Sequence, residues 1–324
     1  MKKVVVIGGG TGTYTILKGL KKYPLHLSVI VSMTDSGGSN RVIRDEFGLL
    51  PTSDIRQCIV ALASSKANGV LRELFTYRYN QGTGITGMSF GNLFMAALTD
   101  IYGSQEEAIK KTCEILDVEG DIIPVTFENT NLVARYENGQ QVLGEHYIDE
   151  PDPRLGDLKI VELEVFPKVE ANKKALQSIK EADLIIFGPG DLYTSIICNL
   201  VVDGIAKAIK KSKAKKVYVV NLMTKFGQTS EFTATDHLNE LEKYLGRNVI
   251  DYSLINKTTK YSKKILSRYS QENAKPVIDD LKSRVIRANF ISTDIPQKHN
   301  ADKLIRSLIR HDSEKLAAEI NKLL

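Results

Sequence analysis

The sequence predicts an α/β protein built on a doubly wound parallel sheet with helices on both faces and a small antiparallel β insertion. Three observations predict it. Short, wholly apolar runs of strand length alternate with amphipathic stretches of helix length, the pattern of buried parallel strands joined by crossover helices. Several of those runs end in loops rich in glycine and hydroxyl side chains that open the next helix. The segment 121–167 breaks the alternation and carries Asn138-Gly139 between two strand-like stretches, as a hairpin would.

The strands are Val4-Val-Val-Ile7, Leu27-Ser-Val-Ile-Val31, Leu184-Ile-Ile-Phe187, Val217-Tyr-Val-Val220 and Val249 to Ile255. Between them, helical periodicity covers Thr13–Lys22, Asp54–Ala63, Asn92–Tyr102 and Asn172–Ala182. Ser104-Gln-Glu-Glu107 and Thr233-Ala-Thr-Asp236 are capping boxes, and Gly103 and Gly246 suit helix C′ positions. Asn138-Gly139, flanked by Leu132–Glu137 and Gln141–Gly144, predicts a type I′ turn. The pattern recovers at Val285–Ile291 and closes with amphipathic helices from Ala301 to Leu324 that pack back on the sheet.

At 324 residues, 42% hydrophobic and 26% charged, the chain is neither disordered nor fibrous and can form one domain over 1–324, with 121–167 as the insertion within it. Cys58, Cys113 and Cys198 are too few and too scattered for a disulfide framework, which points to a reducing cytoplasm. No apolar run reaches the ~18 residues of a membrane span, and Val4–Gly8 is too short for a signal-peptide core, so no membrane insertion is expected. A net charge of +5 is mild. Six lysines between Lys207 and Lys216 read as a solvated helix end, and no nucleic-acid partner is expected.

The chemistry lies in the loops. Gly8-Gly-Gly-Thr-Gly12 follows the first strand and opens a helix, which favours an anion, yet it matches neither the dinucleotide fingerprint nor a P-loop. The second strand ends near Asp35-Ser36-Gly37-Gly38, where Asp35 suits a divalent cation, a ribose hydroxyl or a simple turn. Pro51-Thr-Ser-Asp54 and Ser89-Phe-Gly91-Asn92 precede two further helices. Gly188-Pro189-Gly190-Asp191 exposes backbone amides, with Tyr193 as an aromatic face and Thr194 and Ser195 as hydroxyl donors. Asn221, Thr224 and Asn256 close two more strand ends on the same edge. The five histidines show no paired ligand spacing and read as surface residues, and no nucleophile motif is present. Backbone and neutral donors suit a nucleotide or a sugar phosphate, with Mg²⁺ as the candidate cofactor if Asp35 or Asp54 holds a metal.

In this order the motifs resemble the family that includes the 2-phospho-L-lactate transferases (CofD) and the bacterial gluconeogenesis factors (YvcK). The resemblance rests on Gly8–Gly12, Asp35–Ser39, Pro51 through Arg56, Phe90–Leu93, Phe187–Gly190, Leu192–Ser195, Asn221–Thr224 and Asp236-His237. Gly190-Asp-Leu-Tyr-Thr-Ser195, Asn221–Thr224 and Arg310-His311-Asp312 are similar to the gluconeogenesis-factor branch. The resemblance implies a CofD-like, three-layer α/β/α Rossmann-like fold, cytoplasmic location, UDP-sugar binding, and a role in cell shape and growth on gluconeogenic carbon. From the transferase branch it implies joining a nucleotide-activated phospholactate to a deazaflavin with a divalent metal, whose aspartates map onto Asp35 or Asp54. The resemblance also suggests that Arg310 returns to the crevice as a diphosphate clamp. Asn40–Arg44, Gly87-Met88, Pro51–Asp54 and Gly227–Thr229 depart from the family pattern and lack two titratable groups, which weakens acid/base chemistry more than binding. A nucleotide-sugar-binding regulator is therefore favoured over the alternative, a phospholactyl or phosphoryl transferase. Homo-oligomerisation and a protein partner in cell-envelope control are left open.

Overall fold

The structure, a computed structural model, describes residues 1–64, 69–257, 261–293 and 308–324. In chain order the first half runs β1 (Lys2–Ile7), α1 (Gly10–Leu20), β2 (Leu25–Val31), α2 (Gly38–Phe47), α3 (Ser53–Leu62), α4 (Gly69–Thr76), α5 (Phe90–Tyr102), α6 (Gln105–Ile115), β3 (Asp121–Pro124), β4 (Asn131–Tyr136), β5 (Gln141–Leu143), α7 (Glu145–Asp149) and β6 (Ile160–Phe166). The second half has α8 (Lys173–Glu181), β7 (Leu184–Phe187), a π-helix (Leu192–Ile197) continued by α9 (Cys198–Leu200), α10 (Ile205–Lys211), β8 (Lys215–Val219), α11 (Ala234–Leu245), β9 (Tyr252–Asn256), α12 (Lys263–Gln271), β10 (Val285–Ala288) and α13 (Ser313–Asn321).

Seven strands form one parallel sheet in the order β10-β9-β8-β7-β1-β2-β3. Their side chains alternate between two cores. Val4 and Val6 of β1 face one, with α1, α3 and α13, while Val5 and Ile7 face the other, with α8, α10 and α11. Both faces are therefore covered, as wholly apolar parallel strands require. The winding reverses between β1 and β7, because the chain runs outward from β1 through β2 to β3 and, on the other side, from β7 through β8 to β10. At such a switch point the loops after the strands separate and leave a crevice.

The expected helices are found as α1, α3, α5 and α8. The first three start one to three residues early, because the loop glycines and hydroxyls themselves form the first turns. The Thr233–Asp236 capping box is complete, and Ser104 accepts from the Glu107 amide. Gly103 is left-handed, whereas Gly246 takes another positive-φ conformation. Of the closing segment, residues 301–307 lie outside the described residues, and α13 docks against α1. A Cβ on Gly19 of α1 would lie 2.0 Å from the Ser313 carbonyl oxygen, so only glycine permits that approach.

Two expectations about the middle segment are corrected. Asp121–Pro124 is not part of the insertion. Its Ile122 and Ile123 are buried as β3, the edge of the main sheet, and the antiparallel sheet is β5-β4-β6. The hairpin at Asn138-Gly139 is not a two-residue type I′ turn. Tyr136 and Gln140 bracket a three-residue loop in which Gly139 (φ 85°) takes a positive φ and Asn138 does not, the geometry of a type I turn with a glycine bulge. In the lysine run, Lys216 is buried, its ammonium donating to the Ser212 and Ala214 carbonyls, while the others are solvated. Among the described residues no helix is long and apolar enough to cross a membrane.

Candidate functional site

Ile7 pairs with Phe187, so the two glycine loops leave the sheet side by side at the switch point. Gly188 N–H donates to the Ile7 carbonyl (3.0 Å) and Gly8 N–H to that of Ile30 (3.2 Å). The loops touch without side chains between them: a Cβ on Gly12 would lie 2.1 Å from the Pro189 oxygen. Gly9 is the N-cap of α1 and Gly37 that of α2, and neither has a side chain with which to cap its own helix. Gly10 (φ 65°) and Gly38 (φ 47°) each leave open space where a Cβ would stand. The first turns of two helices thus present their amides toward the crevice, and Thr11 is exposed beside them.

Asp54, in the first turn of α3, reaches across to α1. A Cβ on Gly9 would lie 2.0 Å from its Oδ2, and the Gly10 amide donates to its carboxylate. Burial and the charge of Asp35 push its pKa up to about 7. Asp35 accepts from Gly37 N–H (2.9 Å) and from the Asn40 amide, and burial raises its pKa as well. Ser36 is tied to α7: its amide donates to Glu145 (3.4 Å) and its hydroxyl accepts from His146 N–H (3.0 Å). Glu145 is pushed well above the usual carboxylate range by burial and by Asp35 and Asp149.

A second polar centre lies across the crevice. Lys225 joins Asp149 (2.5 Å) to Asp191 (2.7 Å), and Asp149 also accepts from the Thr194 hydroxyl (2.9 Å) and the Gln228 amide (3.1 Å). Burial alone raises both carboxylates. At Asp149, Lys225 and the two hydrogen bonds outweigh burial and hold it below its ordinary value, while Asp191 stays raised. The insertion is fastened to the main sheet through this lysine.

Other predicted site residues have structural partners. Asn92 is fully buried; its Nδ2 donates to Ser39 and Ser53 (both 3.0 Å) and its Oδ1 accepts from Arg56 (3.1 Å), tying α2, α3 and α5 together. Gly91 makes room for Arg56, whose Cδ would lie 2.6 Å from a Cβ there. Thr224 pairs with Lys275, and the Asn256 Oδ1 accepts from Phe290 N–H (2.9 Å). Gly190 packs against Ser195, and Arg310 is held at its backbone by Ser292. Asn221 keeps a buried Oδ1 with no hydrogen-bond partner among the described residues.

Three readings of the site are corrected. Tyr193 offers no aromatic face to the crevice: it is fully buried and its hydroxyl donates to Ile160, because the π-helix turns it into the apolar core. Acids are not scarce, since α7 brings Glu145 and Asp149 to join Asp35, Asp54 and Asp191. The histidines are not uniformly on the surface. His237 is buried against Phe232, His26, His146 and His311 are half-buried, and His299 lies outside the described residues. The carboxylates do not fit a resident Mg²⁺ as arranged: Asp35 already accepts two donors, Asp54 caps α1, and among the described residues no three such groups are poised around one cation.

The model of the family described as 2-phospho-L-lactate transferase CofD matches residues 4–295, nearly the whole chain. The chain belongs to the CofD family. Within the CofD family it is similar to a Thermotoga maritima relative, 43% identical over 99% of each chain. It is also similar to the gluconeogenesis factor of Bacillus subtilis, 36% identical over 99% of this chain and 98% of that one. A crystal structure of a Bacillus halodurans protein shares its fold with a TM-score of 0.88, at 35% identity and 99% coverage of both chains.

Sequence reasoning missed Asn40, Arg56, Glu145, Asp149, Lys225 and His311. Glu145 and Asp149 stand four apart, on one helix face, and that spacing was the available signal. Lys225 directly follows the Asn221–Thr224 motif, and Asn40 opens a stretch where this CofD-family chain departs from the pattern.

Proposed function

We propose that this protein binds a nucleotide sugar, a UDP-sugar such as UDP-GlcNAc, as a cytoplasmic regulator of the gluconeogenesis-factor type acting on cell shape and growth on gluconeogenic carbon. One observation carries the reading: two helices with glycine N-caps open at one switch-point crevice beside the Gly188–Gly190 turn, where backbone takes the place of side chains, as a diphosphate site requires. The relatives named gluconeogenesis factor support the biological role. Calorimetry against UDP-sugars, GDP and NAD, with and without Mg²⁺, tests it, and absence of nucleotide binding under every condition would end it.

A second reading, phospholactyl transfer to a deazaflavin precursor, is favoured by Asp54, whose carboxyl near 7 suits proton transfer at neutral pH. Product formed from guanosine-activated phospholactate, deazaflavin and Mg²⁺ would reverse the order of the two.

A further inference from the structure

The segment 308–312 runs back along the carboxyl edge of the sheet. Ile291 and His311 form an antiparallel bridge, flanked by Ser292 N–H donating to Arg310 (2.9 Å) and Asp312 N–H donating to Phe290 (2.6 Å). This pairing sets the His311 ring against the Val220 backbone, at the end of β8 and next to Asn221. The same strand end abuts the glycine turn, since a Cβ on Gly188 would lie 3.5 Å from the Val219 oxygen. His311 and Asn221 thus border the crevice on the side away from α2 and α3.

Each carries a buried polar atom without a hydrogen-bond partner among the described residues, Nε2 of His311 and Oδ1 of Asn221. Native proteins rarely leave such atoms unpaired, and a functional site is one of the explanations. Both atoms are acceptors. Burial lowers the His311 pKa to about 4, so the ring is neutral at pH 7. Interaction with the Val220 backbone raises its basicity, as donation to a carbonyl does, which places the ring proton on Nδ1 and leaves Nε2 a lone pair. A phosphate at neutral pH offers such atoms little, and its charge is repelled by their lone pairs. A hydroxyl or an N–H satisfies them.

We propose that His311 and Asn221 are specificity-determining residues that read a hydrogen-bond donor on the nucleoside half of the ligand, a ribose hydroxyl or a base N–H, while the glycine loops take the phosphates. The inference rests on the nucleotide-binding reading above.

Calorimetry on the full chain with UDP and with inorganic pyrophosphate tests it, using His311→Phe, which keeps an aromatic ring but removes the acceptor together with the Nδ1–H, and His311→Gln, which returns an acceptor oxygen and an N–H donor. The expected result is a loss of at least about tenfold in UDP affinity for His311→Phe, partial recovery in His311→Gln, and unchanged pyrophosphate affinity in both. UDP binding of wild-type strength by a folded His311→Phe variant would overturn the inference and leave the proposed function standing. If the wild type binds pyrophosphate and no nucleoside diphosphate, both fall. If His311→Phe does not fold, imidazole ¹⁵N spectra of the wild type decide: the His311 Nε2 resonance moves on adding UDP and not on adding pyrophosphate, and a silent resonance overturns the inference. Weaker binding of 2′-deoxy-UDP assigns the donor to the ribose, and weaker binding of N3-methyl-UDP to the base. Full-strength binding of both analogues, each lacking one donor, with a wild-type 3′-hydroxyl silent to deletion, also overturns it.

Discussion

Replacing Asp54 with Asn tests the electrostatics of the crevice without a ligand. In the folded protein this carboxyl titrates at about 7 instead of 3.8, so the fold favours its protonated form. Between those two values the native state binds the proton more tightly than the unfolded chain, and stability falls as pH rises until the native group has ionised, above about 7. A difference of that size corresponds to roughly 4 kcal/mol for a fully buried group. Asp54 is only half-buried, and halving for solvent screening leaves about 2 kcal/mol. Asparagine is nearly isosteric, cannot ionise and can still accept from the Gly10 amide. Asp54→Asn is therefore expected to stabilise the protein by about 2 kcal/mol at pH 8, roughly 3 °C in Tm for a chain of this length, and by less than half as much at pH 5. Thermal melts of both proteins at the two pH values measure it. A gain independent of pH, or a loss at pH 8, would show that the helix-capping contribution of the carboxylate exceeds its cost of burial.

Four further outcomes are expected. Gly190→Val drives a branched side chain toward Ser195 Cβ, 3.1 Å from where its own Cβ would stand, and should abolish nucleotide binding in a folded protein; calorimetry at wild-type strength would take that loop out of the site. Lys225→Met leaves Asp149 and Asp191 without their shared cation and should cost about 2 kcal/mol at pH 8, partly recovered at pH 5 as the carboxyls take up protons, which urea titrations at both pH values would show. Asn92→Ala strips partners from Arg56, Ser39 and Ser53 at once and should lower stability by about 3 kcal/mol; a loss below about 1 kcal/mol in the same titration would mean water replaces the amide. Arg310→Glu should weaken UDP-sugar affinity at least about tenfold, about 1.4 kcal/mol, and wild-type affinity would return Arg310 to a purely structural place.

The sheet was legible because its strands are continuous apolar runs, and Leu184–Phe187 is β7 to the residue. β3 escaped notice because Asp121-Ile-Ile-Pro124 is four residues long and holds only two aliphatic side chains, too few for a period to show. The glycine loops were legible for a similar local reason: their conformation is written in residues that lack a side chain. What those glycines accommodate was not. Gly9 and Gly12 make room for Asp54 and for Pro189, partners 45 and 177 residues away, and no local pattern encodes such contacts. The same holds for the acids of α7, which became site residues only when Ser36, Thr194 and Lys225 were found around them. Tyr193 was misread because a π-helix shifts side-chain direction relative to an α-helix, and sequence alone does not announce the change.

The central place of β1 has a consequence for how the chain is made. β1 leaves the ribosome long before its neighbour on one side, β7, which begins at Leu184. At ordinary synthesis rates of about 5–20 residues per second, roughly 10–40 s pass before that partner emerges. Throughout that interval the edge of Val4-Val-Val-Ile7 that later meets β7 stands without its partner and is open to another chain, and the Gly8–Gly12 loop stands without the Gly188 turn that completes the crevice. The nascent protein is thus most exposed to misassociation at the strand on which its binding site later depends.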